Sequence, residues 1–197
     1  NTGQFIHSSP INPTWKNVVY YDSSDSIEKK YNILRSGFKT WSEKTYHQRA
    51  KSLLDLNEIL LKNKQEVIDL VCLETGKLKS LSEAEFEAAT RTLRLLSAYE
   101  FLPSGRILPS VNPRRSVLEE RSPLGIALLI FPSNAPLPNF LGKIAPALMA
   151  GNVVFAKPSP YTAVIFSKLL EFMREAGLDE SVIQRIDGEA DVATKVL

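Results

Sequence analysis

Apolar residues recur at helical spacing through the first half of the chain and then give way to short unbroken runs. Residues 1–24 are polar and punctuated by proline, with one strand-like stretch at Asn17 to Tyr21. From Ile27, the positions Tyr31, Leu34 and Phe38 fall three or four apart. That spacing predicts a helix capped by Ser24 or Asp25 and ending near Trp41. A second helical pattern starts at Thr45, with Leu53, Leu56, Leu60 and Leu61 as its stripe. "KQEVIDLVCLETG" continues it through Val67, Leu70, Val71 and Glu74 to Gly76, a natural C-terminal stop. "SLSEAEFEAATRTLRLLSAYEFL" is a long amphipathic helix, acidic in its first turn and basic later, as the helix dipole favours. Residues 25–102 therefore read as a helical layer.

The texture then changes. Residues 103–123 hold short extended pieces broken by Pro and Gly, and predict a β-hairpin or excursion. Ile126 to Phe131 is an unbroken apolar run, which suits a strand covered on both faces. A helix is predicted from Asn139 to Ala150, a strand from Val153 to Ala156, and a helix from Thr162 to Ala176 with Ile165, Leu169, Phe172, Met173 and Ala176 inward. A third strand runs from Val182 to Ile186. Crossovers of this length predict right-handed parallel pairing, hence an α/β class with a parallel sheet. A helix beginning at Ala190 is met by the end of the chain at Leu197, so the expectation is a piece of a longer protein.

Composition narrows the classes of function. At 44% apolar and 23% charged the chain is globular, and a net charge of +2 without basic blocks argues against nucleic acid or an anionic membrane as partner. No apolar run approaches the roughly 20 residues of a membrane helix. The single cysteine, Cys72, cannot form an internal disulfide, and no secretory leader opens the chain. A cytoplasmic protein with a small-molecule ligand is expected.

In open α/β sheets, ligands bind beyond the carboxyl ends of the strands. That rule selects the loops at 132–136, 157–162 and 187–191. Asn134, set between Pro132 and Pro136, reads either as a turn residue or as an amide donor to developing negative charge. Lys157 reads as a solvated loop lysine or as a cation for a ribose or phosphate, and Ser159 as a helix cap or a ligand donor. Cys72 falls in an apolar stripe and reads as filler rather than nucleophile. His7 and His47 lie far apart in polar surroundings, and no metal-ligand spacing or Ser-His-Asp arrangement is present. Neither G-x-G-x-x-G nor G-x-x-x-x-G-K-[ST] occurs, so any dinucleotide would bind without the usual glycine-rich turn.

The stretch "SPLGIALLIFPSNAPLPNFLGKIAPALMAGNVVFAKPSPYT" resembles the signature region of the aldehyde dehydrogenase superfamily. "ETGK" at 74–77, "FKTWSEKTYHQRAKSL" at 38–53 and "EAGLDESVIQRIDG" at 175–188 are similar to it in the same order. The resemblance implies a Rossmann-like parallel sheet with an N-terminal helical layer. It also implies binding of NAD or NADP and oxidation of an aldehyde through a cysteine thiohemiacetal. By the same resemblance Asn134 is the side-chain donor of an oxyanion hole. Phe131, Pro132 and Ser133 line the cofactor cleft, while Lys157, Ser159, Pro160 and Gly188 belong to cofactor-binding positions. Residues 1–102 and 124–197 correspond to an incomplete NAD(P)-binding domain and 103–123 to an oligomerisation arm, which implies a homo-oligomer. "SSPIN" and "PLPNFLGKIAPAL" are further similar to succinylglutamate semialdehyde dehydrogenases.

Four departures from the family pattern stand out. Ser133 replaces an aromatic, Pro160 replaces a ribose-binding glutamate, and Gly188-Glu189-Ala190 replaces G-x-G. The family's nucleophilic cysteine, general-base glutamate and FTGS helix fall past Leu197, so the chain alone is expected to be inactive. Two other readings stay open: a non-catalytic cofactor-binding or oligomerising remnant, and an acyl-CoA or acyl-phosphate reductase of the same superfamily.

Overall fold

A computed structural model of the chain describes residues 3–102, 105–189 and 192. It opens with a hairpin of β1 (Gln4–Ser8) and β2 (Lys16–Tyr20), of which only the second strand is legible in the sequence pattern. Helix α1 (Ser24–Ser42) is capped by Ser23, whose hydroxyl accepts from the Ser26 amide. The cap thus lies before the predicted Ser24 or Asp25, and Asp25 sits in the first turn, where its charge suits the dipole.

Helix α2 (Tyr46–Lys62) begins at Thr45 with a capping box completed by Gln48. The stripe expected to run on to Gly76 is two helices. Asn63 breaks it, its side-chain amide donating to the Ile59 carbonyl at 2.8 Å and its backbone leaving the helical region, and α3 (Lys64–Thr75) starts at the next residue. Leu61, placed inward by the pattern, lies on the outer face of α2 next to buried Leu60 and is 45% exposed. Gly76 closes α3 in the left-handed conformation, as predicted. Helix α4 (Lys79–Ser97) ends in a 3-10 turn, Ala98–Phe101. The excursion expected at 103–123 contains the antiparallel pair β3 (Gly105–Leu108) and β4 (Val117–Glu120), and its first two residues lie outside those described.

The remaining elements alternate: β5 (Ile126–Ile130), α5 (Pro136–Met149), β6 (Val153–Lys157), α6 (Ala163–Glu175) and β7 (Ile183–Arg185). The three strands form a parallel sheet in the order β5-β6-β7. Helices α5 and α6 connect strands stepping in one direction and so share a face, while α2, α3 and α4 pack against them and α1 lies along all three strands. Only the middle strand, β6, is buried along its whole length. β5 was expected to be covered on both faces, but it is an edge strand among the described residues and Ile130 is 51% exposed.

One glycine governs how closely α1 can lie on the sheet. A Cβ at Gly37 would sit 2.2 Å from the Ser181 carbonyl oxygen in the loop before β7. One turn further along α1, Trp41 is fully buried and its indole N–H donates to the Leu148 carbonyl of α5 at 3.1 Å.

Candidate functional site

The three strands end side by side. Ile130 pairs with Lys157 in register, and the Phe131 amide donates to the Lys157 carbonyl at 3.0 Å. Ala156 pairs with Arg185, and the Ile186 amide donates to the Ala156 carbonyl at 2.8 Å. The loops after β5, β6 and β7 therefore leave one sheet edge together, as the strand-end rule requires.

The first loop is held from α5. Asn139 donates its side-chain amide to the Asn134 carbonyl at 2.6 Å, and Lys143 donates to the Ile130 carbonyl at 3.0 Å. Ala135 takes the left-handed conformation, φ +43°, which L residues adopt at a cost. It turns the chain into a helix whose first residue is Pro136. Pro132, Ser133 and Asn134 are exposed along this turn. Phe131 differs: it is buried, and its ring stands edge-on to Phe140 at 5.0 Å and beside Phe166 at 5.8 Å. Its ring belongs to the core, so it stiffens the strand end that carries the loop.

Lys157 is the last residue of β6 and is 9% exposed, unlike a solvated loop lysine. Ser159 is a cap: its hydroxyl accepts from the Tyr161 amide at the start of a 3-10 turn, Pro160–Thr162. Helix α6 follows at once, and its N-cap Thr162 contributes no side-chain cap. That task falls to Glu74 at the end of α3. Its carboxylate accepts from the Val164 and Ile165 amides, at 2.8 Å each. Burial pushes the Glu74 carboxyl up, against the pull of those two N–H groups and of nearby His7 and Arg185. His7, which the sequence put in polar surroundings, is buried. Its Nε2 lies 2.8 Å from the Glu74 carbonyl, and its ring is edge-on to Tyr161 and Trp15.

The third loop is tied to the start of α1 by charge. Asp22 accepts from Lys30 Nζ at 2.6 and 2.8 Å, from the Ser26 hydroxyl at 2.6 Å and from the Asp187 amide at 2.9 Å. The Asp22 amide returns a bond to the Asp187 carbonyl at 2.8 Å. Arg185 makes a two-pronged pair with the Asp187 carboxylate at 2.6 and 2.7 Å and donates to the Ala163 carbonyl of α6 at 2.8 Å. Gly188 has a packing reason to be glycine, because a Cβ there would lie 2.2 Å from Val192 Cγ2. Ala190 and the helix expected from it fall outside the described residues.

Sequence reasoning selected the loops but missed what holds them: Glu74, Asp22, Lys30, Arg185, Asn139 and Lys143. Asn152, quoted only as part of "AGN", accepts from the Leu124 and Gly125 amides at 2.7 and 3.0 Å and so fixes the entry to β5. Cys72 packs half-buried beside the core with its thiol donating to the Ser82 hydroxyl. No helix among the described residues is long and apolar enough to cross a membrane.

Comparison with known proteins gives a consistent result. The model of the aldehyde dehydrogenase family matches residues 3–197. The chain is 35% identical over 186 residues to a 2,5-dioxopentanoate dehydrogenase of Saccharolobus solfataricus, covering 91% of this chain and 38% of that protein. It is 30% identical to a D-glyceraldehyde dehydrogenase (NADP(+)) of Picrophilus torridus, covering 84% and 34%. Among solved structures, a 3,6-anhydro-L-galactose dehydrogenase in complex with NAP superposes with a TM-score of 0.91 at 25% identity, over 98% of this chain and 41% of that one. The chain thus spans about two fifths of the length of the relatives it matches.

Proposed function

Because this chain belongs to the aldehyde dehydrogenase family, we propose that it forms the cofactor-binding part of an NAD(P)-dependent enzyme that oxidises an aldehyde to its acid. The observation that carries this reading is the shared sheet edge, where the Asn134, Lys157 and Gly188 loops emerge side by side. A dinucleotide suits that edge: it offers a cation at the end of the middle strand, exposed loop residues at 132–134, and no carboxylate at Pro160 to oppose a phosphate. A nicotinamide dinucleotide held at this edge would supply the hydride acceptor for the substrate carbon. Asn134 donates its amide hydrogen to the substrate oxygen as that oxygen gains charge, and the Pro132–Pro136 turn keeps the amide in place. The nucleophilic cysteine and general base belong to the part of the enzyme outside this chain, so the chain alone turns over no aldehyde. A semialdehyde or oxo acid is the substrate class that the relatives' names support, among them 2,5-dioxopentanoate and malonate semialdehyde.

Cofactor choice tests the reading. Pro160 brings no carboxylate to accept from the ribose hydroxyls or to repel a 2′-phosphate, while Lys157 can pair with one. A charge-assisted hydrogen bond contributes about 1.5–3 kcal/mol. The whole enzyme is expected to use NADP at least as well as NAD, and Pro160→Glu to shift kcat/KM towards NAD by about tenfold or more. Strong selectivity for NAD that Pro160→Glu leaves unchanged would sink this assignment of the loop, and absence of turnover with either cofactor would sink the function.

We further propose that the enzyme is a cytoplasmic homo-oligomer joined through the β3–β4 hairpin. The hairpin exposes Ile107 (77%) and Leu118 (73%), apolar surface that a partner would cover. Sedimentation of an Ile107→Asp, Leu118→Asp double variant should show a smaller species than wild type. An unchanged sedimentation coefficient would remove the hairpin from the interface.

A further inference from the structure

Glu74 is a charged side chain with no exposed surface, carried by a helix that supplies no strand or loop to the sheet edge. Helix α6 has no side-chain cap of its own, and two of its first-turn amides are satisfied by this carboxylate from 90 and 91 residues away. Only Pro158, Ser159 and the short turn Pro160–Thr162 separate Lys157 from α6. Two prolines and a 3-10 turn leave that linker few soft dihedrals, so the position of the helix start is passed on to the strand end. The same residue acts on the loop from its other side. The Glu74 carbonyl meets His7 Nε2 at 2.8 Å, and the His7 ring stands edge-on to Tyr161 with centroids 5.5 Å apart. Phe5, on the same strand as His7, meets Tyr161 at 4.9 Å. One residue therefore anchors both the helix below the loop and the hairpin wall beside it.

We propose that Glu74 is a positioning residue for the adenosine end of the cofactor, holding the 157–162 loop in its binding geometry through the first turn of α6. The inference rests on the reading that this sheet edge binds NAD(P). It has a chemical corollary: a helix N-terminus is an anion site, and in α6 an internal carboxylate already fills it. The cofactor's diphosphate is thereby kept off this helix, and the loop is left to the ribose and any 2′-phosphate on it.

The experiment uses the whole enzyme that carries this chain, in wild-type, Glu74→Gln and Glu74→Asp forms. ADP binding is followed by calorimetry and steady-state kinetics by dinucleotide reduction. Gln keeps the size and loses the charge, while Asp keeps the charge and loses the reach. For Glu74→Gln the Kd of ADP and the KM of the dinucleotide should rise together by about tenfold, with kcat at saturating cofactor within about twofold of wild type. Glu74→Asp should fall between, with a rise of about threefold or more, and it decides the matter if Glu74→Gln does not fold. A cap that serves the fold alone would lower Tm and leave Kd and KM of the folded enzyme where they were. Unchanged Kd and KM in a folded variant therefore overturn the positioning role while leaving the cofactor site standing. A wild-type enzyme that binds neither ADP nor dinucleotide overturns the cofactor site itself, and the positioning role with it.

Discussion

Replacing Asn134 by alanine in the whole enzyme should lower kcat by about 10²–10³ and leave cofactor KM nearly unchanged. The expectation comes from geometry as much as from family likeness. Asn134 is exposed at the mouth of a turn that is fixed on every side. The left-handed Ala135 follows it, Asn139 grips its carbonyl, and Lys143 holds the end of β5. Those contacts fix the backbone that carries Asn134 and do not use its side-chain amide, which is left to serve a substrate. A donor of this kind acts when charge develops on the substrate oxygen, so its loss appears in kcat rather than in binding. Pre-steady-state and steady-state rates for Asn134→Ala settle it. A kcat within about threefold of wild type would return Asn134 to the role of a turn residue.

Asp22→Asn should destabilise the folded protein by about 2–3 kcal/mol at neutral pH, the scale of a charge-assisted hydrogen bond lost from a poorly hydrated site. Burial alone would raise the Asp22 carboxyl, whose side chain is 10% exposed. The bonds from Lys30, Ser26 and the Asp187 amide outweigh it and hold the group below the ordinary carboxylate range. The sign of the pH effect follows from that direction. A depressed carboxyl binds fewer protons folded than unfolded, so its contribution is complete above the unfolded carboxylate value. It is lost as the pH falls through the lower, folded one. Urea unfolding of wild type and Asp22→Asn should show a constant gap from neutral pH down to about pH 5, closing in stronger acid. A gap that persists undiminished at acid pH would assign the effect to shape rather than charge. Cofactor affinity should weaken as well, since the Asp22 carboxylate accepts from the amide of Asp187, one residue before Gly188.

The order of elements was legible because periodicity reports burial, and burial follows from which face of each element meets its neighbour. Ile165, Leu169, Phe172, Met173 and Ala176 are buried on α6 as their spacing requires. Gly76 takes positive φ where a helix stop was read. The break at Asn63 was not legible, because a stripe in phase across two helices looks like one. β1 was not legible either: Gln4–Ser8 alternates weakly, and only His7 of its five residues is buried. For the site, the strand-end rule and the prolines located the loops. The groups that hold them were hidden because charged residues in a pattern read as solvent-facing. Glu74 sat in an apolar stripe and was counted with it, although a carboxylate in a buried register is itself a signal that a donor must come to meet it. Asp22 and Asp187 are 165 residues apart, a separation that no local pattern spans.

The bond between Glu74 and α6 also has a consequence for the order in which the protein can be made. The carboxylate leaves the ribosome 90 residues before the amides that will receive it. At about 5–20 residues per second, that is an interval of roughly 5–18 s. Through that interval α2, α3 and α4 can collapse on one another. Closing the corner at Glu74 would then strand a charge away from water with no donor to meet it, so the corner stays hydrated until Val164 and Ile165 arrive. The helical layer is therefore expected to finish with the sheet rather than ahead of it. The last turn of α3 and the first turn of α6 are then expected to complete each other late, with the strand-end loop between β6 and α6 taking its shape in the same step.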